Sequence, residues 1–276
     1  MTAVAEGHAI TAPRATSPRR FGWWYVAEHE LRRLPSFWVA WIATAIGSPL
    51  LYLLAFGVGL ATLVGGGSGR IEGVSYAQYV IPAFLCASAV GVAAEEYMFG
   101  VLLGFMWNRV YEGMYASPVS PRQIMLGHLV STTIRIAVTA AIYLVIAMIF
   151  GAIQPGWGFA VLPVAILTAL AFGLPIGAYA SSITEDRGQF NIVNRVIILP
   201  LTLFSGTVFP LTSMPVFLQW IGWLSPLWHG TQLSRDLSYG QQEPAWLILV
   251  HVVYLVAIVV VAGLLVMRIT DRRLRK

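Results

Sequence analysis

The hydrophobic pattern is a series of long apolar runs broken at intervals by short polar stretches. Residues 37–60, 76–105, 123–150, 159–183, 189–209 and 245–267 form six such runs. About 20 apolar residues cross a bilayer as a helix, so each run predicts one membrane span. Residues 212–240 are also apolar, but Pro215 and Pro226 break them into pieces too short to cross. They predict a re-entrant helical pair that dips in from one face and returns, which is tolerated where such backbone packs on protein. Ahead of the first span, at helical spacing, Trp23, Trp24, Ala27, Leu31 and Leu34 share one stripe. Glu28, His29, Glu30, Arg32 and Arg33 lie around the rest, so residues 21–35 predict an amphipathic helix lying in the headgroup layer.

Charge sets the orientation. Of sixteen Arg and one Lys, fourteen fall before residue 37, between 107 and 123, between 183 and 196, or after 267. Basic residues collect on the cytosolic side of membrane proteins, so these segments predict both termini inside. A crossing at 212–240 would carry Arg268, Arg272, Arg273, Arg275 and Lys276 outside, which the same rule opposes. Tryptophan gives an independent check. Trp23, Trp24, Trp38, Trp41 and Trp107 fall at the inner edge, and Trp157, Trp220, Trp223, Trp228 and Trp246 at the outer edge. The fold class is therefore all-α and integral to the membrane, with six spans. A disordered tail is expected over 1–20, the transmembrane domain over 36–267 with a polar loop at 107–122, a glycine-rich outer loop at 65–69, and a basic cytosolic tail over 268–276.

Composition agrees. The chain is 58% hydrophobic and 11% charged, against about 25% charged in soluble domains. Its mean hydropathy is +0.74. The net charge of +5 points to anionic lipid rather than nucleic acid, because the basic residues sit at membrane edges and not in one patch. The lone Cys86 excludes an intrachain disulfide and a thiolate cluster. A phosphate-binding loop needs a lysine, and the single Lys276 is the last residue. The five histidines are scattered, so no metal ligand set and no catalytic group is assigned. One Lys against sixteen Arg suits a GC-rich bacterial genome.

Three ionisable residues fall within spans: Glu95, Glu96 and Arg135. Such groups are expensive in hydrocarbon and often mark function. Measured from the loop at 107–122, Glu96 and Arg135 both sit about 18–20 Å deep at about 1.5 Å per residue. A Glu96–Arg135 contact between antiparallel spans is expected, as a plain helix tie or as a polar element beside a transport path. Glu95 then points elsewhere, because helical neighbours diverge. In the loop, Pro118 and Pro121 stop one short helix and start another.

Two stretches carry a resemblance. The first is Glu112-Gly113-Met114-Tyr115 with Ser117-Pro118-Val119-Ser120-Pro121-Arg122, then Gly127. The second is 203–211 (Leu-Phe-Ser-Gly-Thr-Val-Phe-Pro-Leu), with Met214-Pro215 and Leu224-Ser225-Pro226-Leu227-Trp228-His229. In these the chain resembles permease subunits of the ABC-2 type transporter family, of the nodulation J and daunorubicin-resistance B kind. The resemblance implies a type V exporter-like fold and a coupling loop of Tyr111, Glu112, Gly113, Met114, Tyr115, Ser117, Pro118, Ser120, Pro121 and Arg122. It implies an interface helix with Trp23, Trp24, Glu28, Arg32 and Arg33, and an outer re-entrant motif with Gly206, Pro210, Pro215, Pro226 and His229. It also implies partners: two cytosolic ATP-binding subunits that hold the ATP and Mg, and a second permease, either a copy or a paralogue. The chain itself would carry no cofactor. Amphipathic drugs, lipids or glycan chains would be exported across the bacterial plasma membrane. The alternative is a proton-coupled secondary transporter using Glu95 or Glu96, though broken helices are seen in one half of the chain alone.

Overall fold

The computed structural model describes residues 19–33, 38–60, 70–71, 73–241 and 243–276. The tail before Arg19, the break at Pro35 and Ser36, the glycine-rich loop at 65–69 and the side chains of Trp38 and Trp41 lie outside the described residues.

Helix α1 is Gly22–Leu31, and α2 is Trp38–Tyr52, continuing as a π-helical stretch over Leu53–Leu60. A small antiparallel hairpin follows, with Ile71 of β1 (Arg70–Ile71) opposite Val74 of β2 (Val74–Ser75). Ser75 and Gln78 then form a reciprocal cap on α3. This helix runs Tyr76–Trp107, with π-helical turns over Glu96–Gly100 and Leu103–Trp107. A short helix, α4, spans Val110–Tyr115. Helix α5 is Pro121–Ile149, opened by a second reciprocal cap from Ser120 and Gln123, with Pro121 in its first turn, where a missing N–H costs nothing. Helix α6 is Val161–Ser182, and α7 covers Gln189–Leu203 with a π-helical middle. The proline-broken stretch forms α8 (Val216–Leu224) and α9 (Pro226–Tyr239), and α10 is Ala245–Leu274.

Among the described residues, four helices are long and apolar enough to cross a membrane: Tyr76–Trp107, Pro121–Ile149, Trp157–Ser182 and Ala245–Leu274. The other two expected spans are represented by shorter apolar helices, Ile42–Phe56 and Gln189–Leu203. Helix α7 ends at Leu203 rather than at Phe209. Beyond it Gly206 adopts φ +70, which a side chain would oppose, and turns the chain out of the helix. The basic C-terminal tail is not separate either. Residues 268–274 are the last turns of α10, and Arg275 donates back to Asp271 at 3.0 Å.

Helix α3 is central, with Tyr79, Leu85, Cys86, Ala89, Ala93 and Tyr97 all buried. Helix α6 packs against α3 and α10, and α9 packs on α3 and α6. Helix α10 leaves Trp246, Leu249, Val253, Val256, Val260 and Leu264 exposed, the face expected against lipid.

Several segments meet at one end of the molecule. The Arg19 amide donates to the Pro118 carbonyl at 3.0 Å. Arg273 Nη1 donates to the carbonyls of Ser181 and Ile183 at 2.8 and 2.6 Å, and its guanidinium stacks over Phe105. Arg122 lies 3.9 Å from Asp271. The basic segments before 37, between 107 and 123, and after 267 are thus gathered together, as the charge pattern requires.

Candidate functional site

At that end α1, α3, α4 and α5 enclose a cavity of about 370 Å³, bordered by Glu30, Glu95, Glu96, Tyr111, His128 and Arg135. Its walls begin with how α1 docks. The buried face of α1 is Gly22, Val26 and Ala27, which shares only Ala27 with the predicted stripe, while Leu31 is half-buried. Trp23 is half-buried and Trp24 exposed. The difference arises at Gly127 of α5. A Cβ there would lie 2.5 Å from Val26 Cβ and 2.6 Å from the Trp23 carbonyl, so the missing side chain lets the two helices touch backbone to side chain.

Close approach carries Glu30 inward. It was placed on the polar face, but its carboxylate reaches α5. His128 Nδ1 stands 3.1 Å from both Glu30 oxygens, and Ser131 Oγ donates to Oε2. Burial raises the Glu30 carboxyl, but the His128 charge, hydrogen bonds from His128 and Ser131, and the Arg135 charge together lower it below 4.5. One helical turn beyond Ser131, Arg135 Nη1 donates to Glu96 Oε1 of α3. Glu96 opens the π-helical turn of α3, and Glu95 is exposed. Two acid–base contacts therefore run from α1 through α5 to α3. His128 Nε2 and Arg135 Nε have no hydrogen-bond partner.

Helix α4 closes the cavity from below. Arg109 sits at φ 47, ψ 32, a left-handed conformation that is uncommon for a side-chain-bearing residue and reverses the chain from α3 into α4. Tyr111 is buried, edge-on to Phe105 at 4.9 Å and to His128 at 6.1 Å. Burial, then the charges of Glu30 and Glu96, push its hydroxyl well above 10. Ser117 Oγ donates to the Met114 carbonyl at 2.6 Å and finishes the turn. The expected loop residues thus divide. Tyr111 and Pro121 are buried, and Met114, Tyr115, Pro118 and Ser120 are half-buried. Glu112, Gly113, Ser117 and Arg122 are exposed and free to meet a partner surface. Of the expected interface residues, Arg32 pairs with Glu28 at 2.5 Å, and Arg33 borders the cavity.

The opposite end has its own network. Arg235 of α9 is 1% exposed. Its guanidinium donates to the carbonyls of Tyr79, Gly206 and Thr207 and lies 3.6 Å over the Tyr79 ring. It fixes the Gly206 turn. Pro226 opens α9, Pro215 precedes α8, and Pro210 precedes a 3-10 turn. His229 faces His251 of α10. Trp228, expected in the outer aromatic belt, instead packs edge-on against both histidines at 5.0 and 5.1 Å. A larger groove of about 680 Å³ between α6 and α10 is lined almost wholly by apolar atoms and carries no charged group.

Sequence reasoning did not single out Glu30, His128, Ser131, Arg235, Glu243 or His251. A signal exists for some of them. His128, Ser131 and Arg135 are spaced three and four apart, one polar face on an apolar helix. Arg235 is one of three basic residues outside the four basic segments of the sequence.

The helical bundle, the apolar outer faces and the polar cap define a multi-pass membrane protein. Comparison with known proteins places it. The profile of the ABC-2 type transporter family matches residues 23–239. The chain belongs to that family and is an ABC transporter permease subunit of the bacterial inner membrane. It is 26% identical over 246 residues to nodulation protein J of Rhizobium leguminosarum bv. viciae, covering 87% of this chain and 92% of that one. It is 28% identical over 210 residues to nodulation protein J of Rhizobium leguminosarum bv. trifolii, covering 74% and 78%. It is 26% identical over 202 residues to the inner membrane transport permease YadH of Escherichia coli (strain K12), covering 72% and 75%. Family membership sets aside the proton-coupled alternative and implies, in general, an ATP-binding subunit as partner.

Proposed function

We propose that this chain is the permease of an ATP-driven exporter, with six spans, both termini in the cytosol and the re-entrant pair α8–α9 on the outer face. Two ATP-binding subunits, which hold ATP and Mg, would dock beneath α4, and a second permease would complete the path. The cargo would be an amphipathic drug, lipid or glycan-type molecule taken from the cytoplasm or inner leaflet. One observation carries the coupling part of this reading. The exposed residues Glu112, Gly113, Ser117 and Arg122 share a cap with α1, and that cap is tied to α5 and α3 through Glu30–His128 and Arg135–Glu96. A push on α4 therefore has a polar route into the spans. Glu95 is exposed and borders the same cavity, which supports a role beside the path in this reading.

The test is affinity capture of the tagged chain from native membranes, in parallel with Glu112→Arg and Ser117→Arg variants. An ATPase with a phosphate-binding loop that co-purifies with the wild type and is lost with the variants supports the reading. A well-folded wild-type chain that brings down no such ATPase removes it.

A further inference from the structure

The cluster at the outer end has an unusual proton count. His229 Nε2 lies 3.0 Å from the Trp223 carbonyl, which can only accept, so Nε2 carries a proton. His229 Nδ1 faces His251 Nδ1 at 2.7 Å, and a hydrogen bond of that length needs a proton between them. His251 Nε2 faces Glu243 Oε2 at 3.1 Å and needs another. On the far side Gln232 Nε2 donates to Glu243 Oε1 at 2.7 Å, and its oxygen accepts from Arg235 Nη1 at 3.0 Å, which fixes the amide's orientation. The three contacts that run from the Trp223 carbonyl through His229 and His251 to Glu243 therefore hold three protons. Two neutral imidazoles and a carboxylate bring only two.

The fully bonded cluster carries one extra proton and is thereby electrically neutral. It is an imidazolium beside a carboxylate, or two neutral rings beside a carboxylic acid. His251 is 0% and His229 5% exposed, and neutrality is strongly favoured in such surroundings. Removing the proton leaves a negative cluster with two protons for three contacts. The Glu243 carboxylate, the strongest acceptor, and the Trp223 carbonyl keep them, so two nitrogen lone pairs face each other at 2.7 Å and the histidine contact opens. Other groups around the cluster do not supply the missing proton. Arg235 is committed to carbonyls and Gln232, with Tyr79 of α3 beneath it. Asp236 adds negative charge near Glu243. Tyr254 stacks on His229 at 4.1 Å and donates its hydroxyl to the Leu224 carbonyl at 2.7 Å. Trp223 offers only its carbonyl, and the one ionisable residue of α6, Tyr179, lies near that helix's far end.

We propose that His229, His251 and Glu243 form a proton-binding site whose single shared proton clamps α8 and α9 onto α10. Each helix contributes one end of a bond: α8 through the Trp223 carbonyl, α9 through His229, α10 through His251. The clamp is complete at low pH and is lost as pH rises through the cluster's titration. This goes beyond the transport reading and does not rest on it.

The experiment is amide hydrogen exchange by mass spectrometry on the full chain in lipid nanodiscs, from mildly acidic to mildly alkaline pH, corrected for the intrinsic pH dependence of exchange. In the wild type, protection of residues 216–239 falls about tenfold on the alkaline side, the effect of losing one buried hydrogen bond, while α5 stays protected. Glu243→Gln donates to His251 from its amide and still accepts from Gln232. It satisfies every contact with two neutral rings, so its protection stays flat across the same range. Nitrogen-15 spectra of the wild-type histidines give a second reading that needs no variant, with a proton shared between two Nδ1 atoms expected. Protection of 216–239 that ignores pH in the wild type, a Glu243→Gln profile that matches the wild type, or spectra of two independent neutral rings would overturn the proposal.

Discussion

Glu30 and Glu96 are each held by a base on α5, and the two contacts respond differently to change. Arg135 Nη1 is the group that offsets Glu96. Replacing Arg135 alone by leucine leaves the half-buried Glu96 carboxylate at the cavity wall without its base, a loss of about 1–3 kcal/mol, below that of a fully buried pair. Replacing both Arg135 and Glu96 by leucine removes the charge with its partner, and apolar pairs of that kind are often neutral in effect. The yield and thermal stability of membrane-inserted protein should therefore be lower for Arg135→Leu than for the double change. Equal losses would show that the pair does not act as a unit. Glu30 answers to pH. Its carboxyl is held below its free value of 4.5. The stability it contributes is fully present above 4.5 and is lost as pH falls through the lower folded value. Exchange protection of residues 22–31 should drop over that acidic window, and Glu30→Gln should flatten the drop.

Among elements, α1 shows both what the sequence reveals and what it conceals. Its existence and amphipathic character follow from the spacing of Trp23, Ala27 and Leu31, while the described helix, Gly22–Leu31, is shorter than the expected 21–35. Which face docks does not follow, because amphipathic spacing marks the Trp23–Ala27–Leu31 stripe, whereas contact with α5 is decided by how close two backbones can come. Gly127 settles that, and its partner residues are a hundred positions away. The same holds at the inner pair. Depth counted from the loop makes a Glu96–Arg135 contact foreseeable, since both helices are regular enough for a rise per residue to apply. The His229–His251–Glu243 cluster was not foreseeable, because His251 sits on a regular helix but its partners His229 and Glu243 lie in the proline-broken stretch, which has no such ruler. The docking argument has a direct test. Gly127→Val places methyl groups where Val26 and the Trp23 carbonyl already lie, and overpacking of this kind costs about 1–3 kcal/mol. Helix α1 should lift, seen as faster exchange and proteolysis at residues 22–33, with α5 unchanged. Unaltered protection of α1 would mean that Gly127 is not what sets the docking.

For the whole molecule the question is how a push on the cap, as from the ATP-binding subunits proposed above, would reach the spans beyond it. Packed apolar helices slide, and a slide transmits force only where something resists it. The cap formed by α1 and α4 meets the spans through two kinds of contact, tight packing at Gly127 and Tyr111 and the acid–base contact of Glu30 with His128, and Arg135–Glu96 carries the link on from α5 to α3. Packing alone allows α1 to shift along α5. The Glu30–His128–Ser131 contact does not, because a charge-assisted hydrogen bond is short and directional. It should therefore matter more to coupling than to assembly. In the exporter proposed above, Glu30→Gln with Ser131→Ala leaves Glu112, Gly113, Ser117 and Arg122 untouched, so the ATPase should co-purify and hydrolyse ATP at its basal rate. Transport per ATP should fall by about tenfold, the effect of losing one charge-assisted hydrogen bond of about 1.5 kcal/mol at the moment of force transfer. Reconstituted complex, assayed for ATP hydrolysis and cargo movement in the same vesicles, separates the possibilities. A parallel fall in both rates would make the contact a matter of assembly. An unchanged ratio of transport to hydrolysis would show that packing at Gly127 and Tyr111 suffices to carry the push.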